Sequence, residues 1–172
     1  FCDHLKRTDD DINQGIQPST YWTATLKDEL VTLKKIDAVK TRVFIQPGVD
    51  VTLLMRKYFG HFIDYYKQRF GFELHHGIGA DKEVVWPLYY QHLTSGKSHF
   101  FDVDAANWYG NVPSGAFDFF RDLTDHYYGP EGRNARDALL YDLQYSHIIL
   151  GSAVIQTCQG NNSGNPMTDL FN

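Results

Sequence analysis

The spacing of apolar residues along the chain predicts several helices. Val51, Leu54, Met55, Tyr58 and Phe62 recur at intervals of three and four residues, which predicts a helix over about 51–69. Further helices are predicted from the capping residue Asp81 to Gly96, from Pro113 to Gly129, and over 133–145. The positions expected to face inward are Ala116, Phe120, Leu123 and Tyr127 in the second of these helices, and Leu139, Leu140 and Leu143 in the third.

Shorter β-branched and apolar segments predict strands. Residues 41–46 end at Pro47-Gly48, and residues 147–150 and 153–157 flank Gly151-Ser152, which predicts a β-hairpin. Residues 98–104 alternate as a strand does and lead into a turn at 105–107. Residues 1–20 are polar and are expected to be irregular, whereas a last helix is expected to begin near Ser163. This mixture predicts an α+β protein with an antiparallel sheet and packed helices.

Composition narrows the class of protein without identifying it. The 172 residues suit one domain or part of a larger one. The formal net charge of −5 argues against a protein that coats polyanions generally, so any contact with nucleic acid must be local. A local basic cluster exists in Lys27, Lys34, Lys35, Lys40 and Arg42, although such a run is also typical of a solvated charged face. Two cysteines do not form a disulfide framework, and no apolar run approaches membrane-spanning length.

Two acidic residues are candidates for binding a metal ion. The alternation over 98–104 places Asp102 and Asp104 on the same face of the predicted strand. Asp104 ends the strand, where its carboxylate could reach a divalent cation, although a turn or helix-capping aspartate would also suit that place. His75-His76 has no cysteine or third histidine at ligand spacing, so no metal site is predicted there.

The last thirteen residues contain a second candidate site. On a helix that begins near Ser163, the side chains of Ser163, Thr168 and Asn172 would lie on neighbouring turns of roughly one face. Two hydroxyls and an amide can hydrogen-bond a polar ligand such as a ribose without adding charge. Ser163 would also serve as an ordinary N-cap of that helix, and both roles are compatible.

These segments resemble motifs of viral RNA-dependent RNA polymerases, with the picornavirus-like group of positive-strand RNA viruses most similar. Residues 101–113, with Asp104 near their start, resemble the first palm motif. Ser163-Gly164, followed by Thr168 and Asn172, resembles the second palm motif. Residues 26–42, which carry the basic cluster, resemble the basic motif of the fingers. The three motifs stand in the family's order and together cover residues 22–172.

The resemblance implies the architecture of a right-hand polymerase fragment, with part of the fingers and part of the palm. Residues 1–60 would be a fingers segment with the basic motif, and 61–145 a palm segment with the first catalytic aspartate. Residues 146–162 would form a fingers hairpin, and 163–172 a palm helix. Because the chain starts without methionine and stops before the family's Gly-Asp-Asp motif, we expect it to be a fragment of a polyprotein product.

The same resemblance implies an RNA-directed RNA polymerase that transfers a nucleotide from a nucleoside triphosphate to an RNA 3′-hydroxyl with two Mg²⁺ ions, or Mn²⁺. Asp104 would be the catalytic metal ligand, and its partner carboxylate would lie in the Gly-Asp-Asp motif, so the fragment alone is expected to be inactive. The implied partners are RNA template and primer, nucleoside triphosphates, the rest of the polymerase chain and a protein primer, in replication complexes of the host cytoplasm. The nucleotide-binding residues would be Lys35, Arg42, Tyr109, Ser163, Thr168 and Asn172, with Lys27 and Lys34 along the path by which nucleotides enter.

Tyr109 departs from the family pattern. A second aspartate usually stands at that position, pairs with the asparagine that Asn172 matches, and senses the nucleotide 2′-hydroxyl. A lineage-specific ribose gate and a non-catalytic remnant of a viral gene are therefore both open. A third interpretation, an unrelated α+β phosphate-binding protein, predicts that Arg42, Asp104 and Ser163 do not converge. The polymerase hypothesis predicts instead that Asp104, Tyr109 and the terminal helix face a common cleft, with Arg42 above it.

Overall fold

A computed structural model describes residues 1–38, 40–69 and 71–171, and it divides into two compact units. The larger unit contains residues 1–60 and the chain from 107 onward, and the smaller contains 61–106. The predicted fingers and palm segments follow other boundaries, and their assignment remains a prediction. None of the helices in the described ranges is both long and apolar enough to cross a membrane.

Helices and strands alternate irregularly along the chain. The first half contains α1 (Cys2–Asn13), β1 (Trp22–Leu26), α2 (Leu33–Asp37), β2 (Val43–Gln46), α3 (Val49–Gln68) and α4 (Val85–Thr94). The second half contains α5 (Trp108–Asn111), α6 (Ser114–Tyr128), α7 (Arg133–Gln144), β3 (His147–Leu150), β4 (Ala153–Gln156) and a 3-10 helix (Thr168–Leu170). The predictions of α3, α4, α6, α7, β2 and the β3–β4 hairpin are confirmed, with shifts of a few residues at their ends.

The described strands form one mixed sheet in the order β2-β1-β3-β4. β1 pairs antiparallel with β2, placing Ala24 opposite Ile45, and β3 pairs antiparallel with β4. β1 and β3 run parallel, with Trp22 opposite Ile148, so the sheet that was predicted to be antiparallel is mixed. A parallel pair needs a long crossover connection, which no local pattern reveals, and here more than a hundred residues separate the two strands.

Aromatic and aliphatic side chains from distant segments fill the core of the larger unit. The rings of Phe117 and Phe120 on α6 lie 4.9 and 5.0 Å from the ring of Phe171, which secures the end of the described chain. Leu139, Leu140 and Leu143 of α7 are buried, as predicted. The predicted inner stripe of α6 is only partly right, because its buried residues are Phe117, Phe120 and Thr124, whereas Leu123 is exposed. The buried face is therefore offset by about one residue from the predicted stripe.

One expectation about the N-terminal region is wrong, and one element there was not predicted. Residues 1–20 were expected to be irregular, but most of them form α1, and β1 was not predicted at all. α1 buries only Thr8 and Ile12, so its apolar signal is weak. Tertiary contacts hold it instead, because Asp9 accepts a hydrogen bond of 2.6 Å from the Lys57 ammonium and another of 2.8 Å from the Tyr58 hydroxyl.

Residues 98–104 do not form the predicted strand. Their side chains are exposed, with Phe101 at 92% and Val103 at 84% exposure. A strand needs a neighbour for its backbone hydrogen bonds, and the described chain places none beside this segment. The sequence of residues 98–104 therefore alternates as a strand does, but the segment has no described neighbour with which to pair as a strand.

The helix predicted from Ser163 onward is also wrong within the described residues. Turns follow Ser163, and only Thr168–Leu170 form a 3-10 helix. Pro166 has no N–H to donate, and the side chains of Asn165 and Thr168 bond nearby backbone groups in place of a helical ladder.

The smaller unit is organised around its aromatic residues. The His76 ring stacks on the Tyr66 ring at 4.1 Å, and its Nε2 lies 3.0 Å from the Tyr66 carbonyl oxygen. The backbone N–H of Ile78 donates to His76 Nδ1 at 3.2 Å, which closes the turn. Asp81 accepts a hydrogen bond from the backbone N–H of Glu83 at 2.7 Å, just before α4. Asp81 therefore caps the turn that leads into α4, whereas it was predicted to cap the helix itself.

A buried carboxylate joins α7 to the start of β1. Asp142 is fully buried and accepts hydrogen bonds from the Thr20 hydroxyl at 2.7 Å and from the Trp22 indole N–H at 3.1 Å. Burial raises the pKa of Asp142 above its ordinary value, while hydrogen bonds from Thr20 and Trp22 and the nearby His147 and Gln17 side chains oppose the rise. The folded state therefore binds a proton at Asp142 more tightly than the unfolded chain does.

We expect Asp142→Ala to lower the free energy of unfolding by about 1–3 kcal/mol, because Thr20 and Trp22 lose a buried acceptor. Asp142→Asn should cost less, since its amide oxygen still accepts from Trp22. As the folded pKa is raised, the wild-type protein loses stability as pH rises from the unfolded pKa through the folded one. The asparagine variant should lack that dependence. Urea unfolding across a pH series checks this, and equal stability of Asp142→Ala and wild type would contradict it.

Candidate functional site

A cleft of about 490 Å³ opens in the larger unit, and four of the residues predicted to bind nucleotide or line its path border it: Lys27, Arg42, Tyr109 and Ser163. They come from the end of β1, the start of β2, α5 and the loop that follows β4. Segments more than a hundred residues apart thus meet because β1 pairs with both β2 and β3. The tertiary fold, and not proximity in the sequence, brings these four residues together.

A fork-shaped ion pair shapes the basic side of the cleft. The Arg42 guanidinium donates to both carboxylate oxygens of Glu29, with Nε 2.8 Å from Oε1. The Lys27 ammonium lies 3.9 Å from Glu29 Oε2, and the Lys27 N–H donates to the Arg42 carbonyl at 2.9 Å. The Arg42 hydrogen bond lowers the pKa of Glu29, and Glu29 in turn raises the pKa of Arg42. Arg42 is 68% exposed, so a permanent positive charge faces solvent in a fixed orientation.

Glu29 lies within the basic motif, residues 26–42, and no role was predicted for it. The motif contains three acidic residues, Asp28, Glu29 and Asp37, among its five basic ones, and this mixture was the available signal. A carboxylate in such a run can orient a guanidinium, and the bidentate geometry shows that it does so here.

Tyr109 is held against the loop that follows β4. Its carbonyl oxygen accepts a hydrogen bond of 2.6 Å from the Asn161 N–H, and its side chain is about half exposed. Gly160 has φ of +93°, and a Cβ there would lie 2.6 Å from the Tyr109 carbonyl oxygen. Only glycine suits this position, because it accepts the left-handed backbone and the close approach.

The loop that carries Ser163 is tied to β2. The Ile45 N–H donates to the Ser163 Oγ at 3.3 Å, and the Gly164 N–H donates to the Ile45 carbonyl at 2.7 Å. A Cβ on Gly164 would lie 2.6 Å from that carbonyl oxygen, so a side chain there would force the two segments apart. Glycine at 164 therefore allows the loop to lie against the strand, which positions the Ser163 side chain at the cleft.

Other predicted residues do not line this cleft. Lys34 and Lys35 are exposed on α2. The Thr168 hydroxyl lies 3.3, 3.1 and 2.8 Å from the carbonyl oxygens of Asn162, Ser163 and Asn165, and its single proton serves one of them at a time. Asn172 lies outside the described residues. The nucleotide-binding roles of Lys35, Thr168 and Asn172 and the place of Lys34 on the nucleotide entry path remain predictions.

Asp104 and Asp102 belong to the smaller unit and are exposed. Neither carboxylate has a hydrogen bond or ion pair with another described residue. Carboxylate oxygens are the ligands that Mg²⁺ prefers, so the donor chemistry fits this ion. The described ranges contain no group of three or more potential ligands, so two carboxylates alone do not complete a site. The role of Asp104 as metal ligand and its approach to the cleft remain predictions.

The chemistry of the cleft suits a phosphorylated, sugar-bearing ligand. Lys27 and Arg42 supply ammonium and guanidinium donors for phosphate oxygens, and Tyr109 and Ser163 supply hydroxyls that donate or accept.

Comparisons with known proteins show which family the chain belongs to. The family model described as viral RNA-dependent RNA polymerase matches residues 1–172. The genome polyprotein of Cosavirus A is 30% identical over 154 residues, covering 88% of this chain and 7% of the polyprotein. The replicase polyprotein of Acute bee paralysis virus is 29% identical over 161 residues, covering 92% of this chain and 8% of that polyprotein.

A solved structure shares the fold. The Sicinivirus 3Dpol RNA-dependent RNA polymerase matches with a TM-score of 0.76 at 22% identity, covering 91% of this chain and 34% of that one. The chain thus spans about a third of that polymerase and less than a tenth of the two polyproteins. The α+β polymerase fold is confirmed, and the interpretation as an unrelated phosphate-binding protein is wrong. This chain belongs to the viral RNA-dependent RNA polymerase family, as the three motifs predicted.

Proposed function

We propose that this chain forms the nucleotide-binding part of a viral RNA-directed RNA polymerase. The full-length protein would transfer a nucleotide from a nucleoside triphosphate to the 3′-hydroxyl of an RNA primer on an RNA template. The observation that carries the proposal is the convergence of Lys27, Arg42, Tyr109 and Ser163 on one cleft, in a chain of this family.

The basic side of the cleft would bind the triphosphate. The Arg42 guanidinium has five N–H donors, of which Glu29 engages two, and the others are free for phosphate oxygens. Binding energy is not lost to ordering this side chain, because Glu29 already fixes its plane. Lys27 adds a charge beside it. Lys34 and Lys35 on the exposed surface of α2 would attract the nucleotide along its path. Lys35 would also contact the triphosphate.

The hydroxyl side of the cleft would bind the sugar. From the described residues the Ser163 Oγ accepts one weak hydrogen bond, of 3.3 Å from the Ile45 N–H, and its proton would be available to a ribose oxygen. The Thr168 hydroxyl oxygen keeps lone pairs that could accept a hydrogen bond from a ribose hydroxyl if the loop moved to let the ribose approach. Asn172 would complete this row.

Asp104 would hold Mg²⁺ or Mn²⁺ together with carboxylates of the Gly-Asp-Asp motif that the family carries further along the chain. Such an ion neutralises developing charge on the phosphates and lowers the pKa of the attacking hydroxyl. The 172-residue chain alone would not catalyse the reaction, because its sequence contains no Gly-Asp-Asp to supply the partner carboxylates.

The partners in this proposal are RNA template and primer, nucleoside triphosphates and the remaining polymerase chain, with a protein-linked primer as one way to start synthesis. The similar relatives are polyproteins of positive-strand RNA viruses, so we place the enzyme in replication complexes of the host cytoplasm after release from such a polyprotein.

We expect Tyr109→Asp to raise the preference of the full-length enzyme for ribonucleotides over deoxyribonucleotides by about 10- to 100-fold. The phenol carries no charge, whereas a carboxylate would accept a hydrogen bond from the 2′-hydroxyl, which is worth roughly 1.5–3 kcal/mol. Primer extension with each kind of triphosphate gives the two values of kcat/KM whose ratio measures the preference.

Tyr90→Asp is the matched control, because Tyr90 is an exposed tyrosine of α4 outside the cleft. An unchanged sugar preference in Tyr109→Asp would show that position 109 does not sense the ribose. No extension by the wild-type full-length protein under any condition would overturn the polymerase proposal and favour the non-catalytic remnant.

A further inference from the structure

Three buried asparagines bracket Ser163 in the described chain. Asn161, Asn162 and Asn165 are 2, 6 and 4% exposed. Burying a side-chain amide costs free energy unless its hydrogen bonds are made, so each asparagine favours loop conformations in which its amide is hydrogen-bonded.

Asn162 ties the loop to the body of the fold. Its Nδ2 donates to the Ser146 Oγ at 2.7 Å. Ser146 is itself fully buried, and its hydroxyl lies 2.8 Å from the carbonyl oxygens of Asp142 and Leu143 at the end of α7. Ser146 precedes β3, the strand that pairs with β1. The anchor therefore connects the cleft loop to the junction between α7 and the sheet.

Asn161 and Asn165 close the loop upon itself. Asn165 Nδ2 lies 2.6 Å from the Asn161 Oδ1 and 2.7 Å from the Asn162 carbonyl oxygen. The Met167 N–H donates to the Asn165 Oδ1 at 2.7 Å, and Asn161 Nδ2 donates to the Thr168 carbonyl at 3.3 Å. Side-chain amides thus supply bonds that a regular helix would have supplied through its backbone.

Ser163 lies between two anchors. On one side is the bond from Asn162 to Ser146, and on the other is the bond from the Gly164 N–H to the Ile45 carbonyl. Its own bond to Ile45, at 3.3 Å, is too long to fix the hydroxyl by itself. The position of the Ser163 hydroxyl in the cleft therefore depends on the neighbouring anchors.

We propose that Asn162 is a positioning residue of the nucleotide cleft, which sets the place of Ser163 through its buried bond to Ser146, with Asn161 and Asn165 closing the loop around it. This inference rests on the proposed function for its effect on the nucleotide. Its effect on the loop does not depend on catalysis.

In the full-length polymerase, Asn162→Ala is expected to raise the KM for nucleoside triphosphate about 3- to 10-fold, the range that one hydrogen bond provides. A variant that was merely less stable would contain less active enzyme, which lowers the apparent kcat and leaves KM unchanged. Ser146→Ala should raise KM similarly, and the double variant should be no worse than either single one, because both changes remove the same bond.

Asn134→Ala is the matched control, because Asn134 is exposed, lies outside the cleft lining, and its side chain donates to the Asn13 carbonyl. Its KM should equal that of the wild type. An unchanged KM in Asn162→Ala, or additive effects of Asn162→Ala and Ser146→Ala, would overturn the proposal.

Hydrogen exchange separates this inference from the proposed function. The Gly164 amide, which bonds Ile45 at 2.7 Å, should exchange faster in Asn162→Ala and not in Asn134→Ala, with no ligand present. If the wild-type enzyme extends no primer, the proposed function fails, whereas faster Gly164 exchange still supports the positioning of the loop. Exchange equal to that of the wild type would overturn the positioning role.

Discussion

Asp104→Ala in the full-length polymerase is expected to lower the rate of nucleotide addition by about 10³-fold or more. A metal ligand in phosphoryl transfer contributes several kcal/mol of transition-state stabilisation, and each 1.36 kcal/mol corresponds to a factor of ten in rate. Asp104 is exposed and its carboxylate makes no bond to another described residue, so its removal should not disturb the fold. Primer extension under single-turnover conditions measures the rate.

Asp102→Ala tests which of the two neighbouring carboxylates matters. Asp102 lies two residues earlier in the same exposed segment, and its loss should cost at least tenfold less than the loss of Asp104. Equal effects of both substitutions would mean that general acidity of the segment, and not a specific ligand at 104, supports the reaction. An Asp104→Ala enzyme with normal activity would remove Asp104 from the site.

Arg42→Ala should raise the KM for nucleoside triphosphate by about 10- to 100-fold. Hydrogen bonds to charged groups are worth roughly 1.5–3 kcal/mol, and the oriented guanidinium offers a fork of donors to phosphate. Arg42→Lys should give an intermediate KM, because an ammonium keeps the charge but cannot make the bidentate pair with Glu29. Steady-state kinetics with a saturating primer-template measures the KM of each variant.

Arg7→Ala is the control for the loss of one positive charge, because Arg7 is an exposed arginine of α1 outside the cleft. Its KM should match that of the wild type. If Arg42→Lys proved as active as the wild type, the fork geometry would be irrelevant and only charge would matter. A wild-type KM in Arg42→Ala would show that this arginine does not bind the triphosphate.

Backbone contacts place the basic motif and the loop that carries Ser163 on the same cleft. The Gly164 N–H, next to Ser163, donates to the Ile45 carbonyl of β2, the strand that follows Arg42. Gly164 lies close enough to Ile45 that no side chain fits between them. Contacts of this kind set the width of the cleft through backbone geometry.

Local patterns sufficed for the elements that carry strong periodicity. α3 and α7 have apolar residues at helical spacing, and Gly151 marks the turn of the β3–β4 hairpin, where its φ is +61°. The motif order also identified the family, since Arg42, Asp104 and Ser163 are separated in sequence as the family requires. The helical spacing, the hairpin turn and each single motif are short-range features, and the order of the motifs is read directly from the sequence.

What the sequence determined by itself was therefore the family, the strongly amphipathic helices and the chemical identity of the cleft residues. Only the tertiary structure decided that α1 forms, that β1 and β3 pair in parallel, that the segment after Ser163 is a bonded loop, and that Glu29 orients Arg42. α1 and the β1–β3 pair depend on contacts between residues far apart in the chain, whereas the loop after Ser163 and the Glu29–Arg42 pair depend on side-chain hydrogen bonds that no periodicity reveals. A segment keeps the secondary structure that its local sequence favours only if its backbone groups find hydrogen-bond partners and its apolar side chains find packing partners. Those partners are known only once the chain is folded.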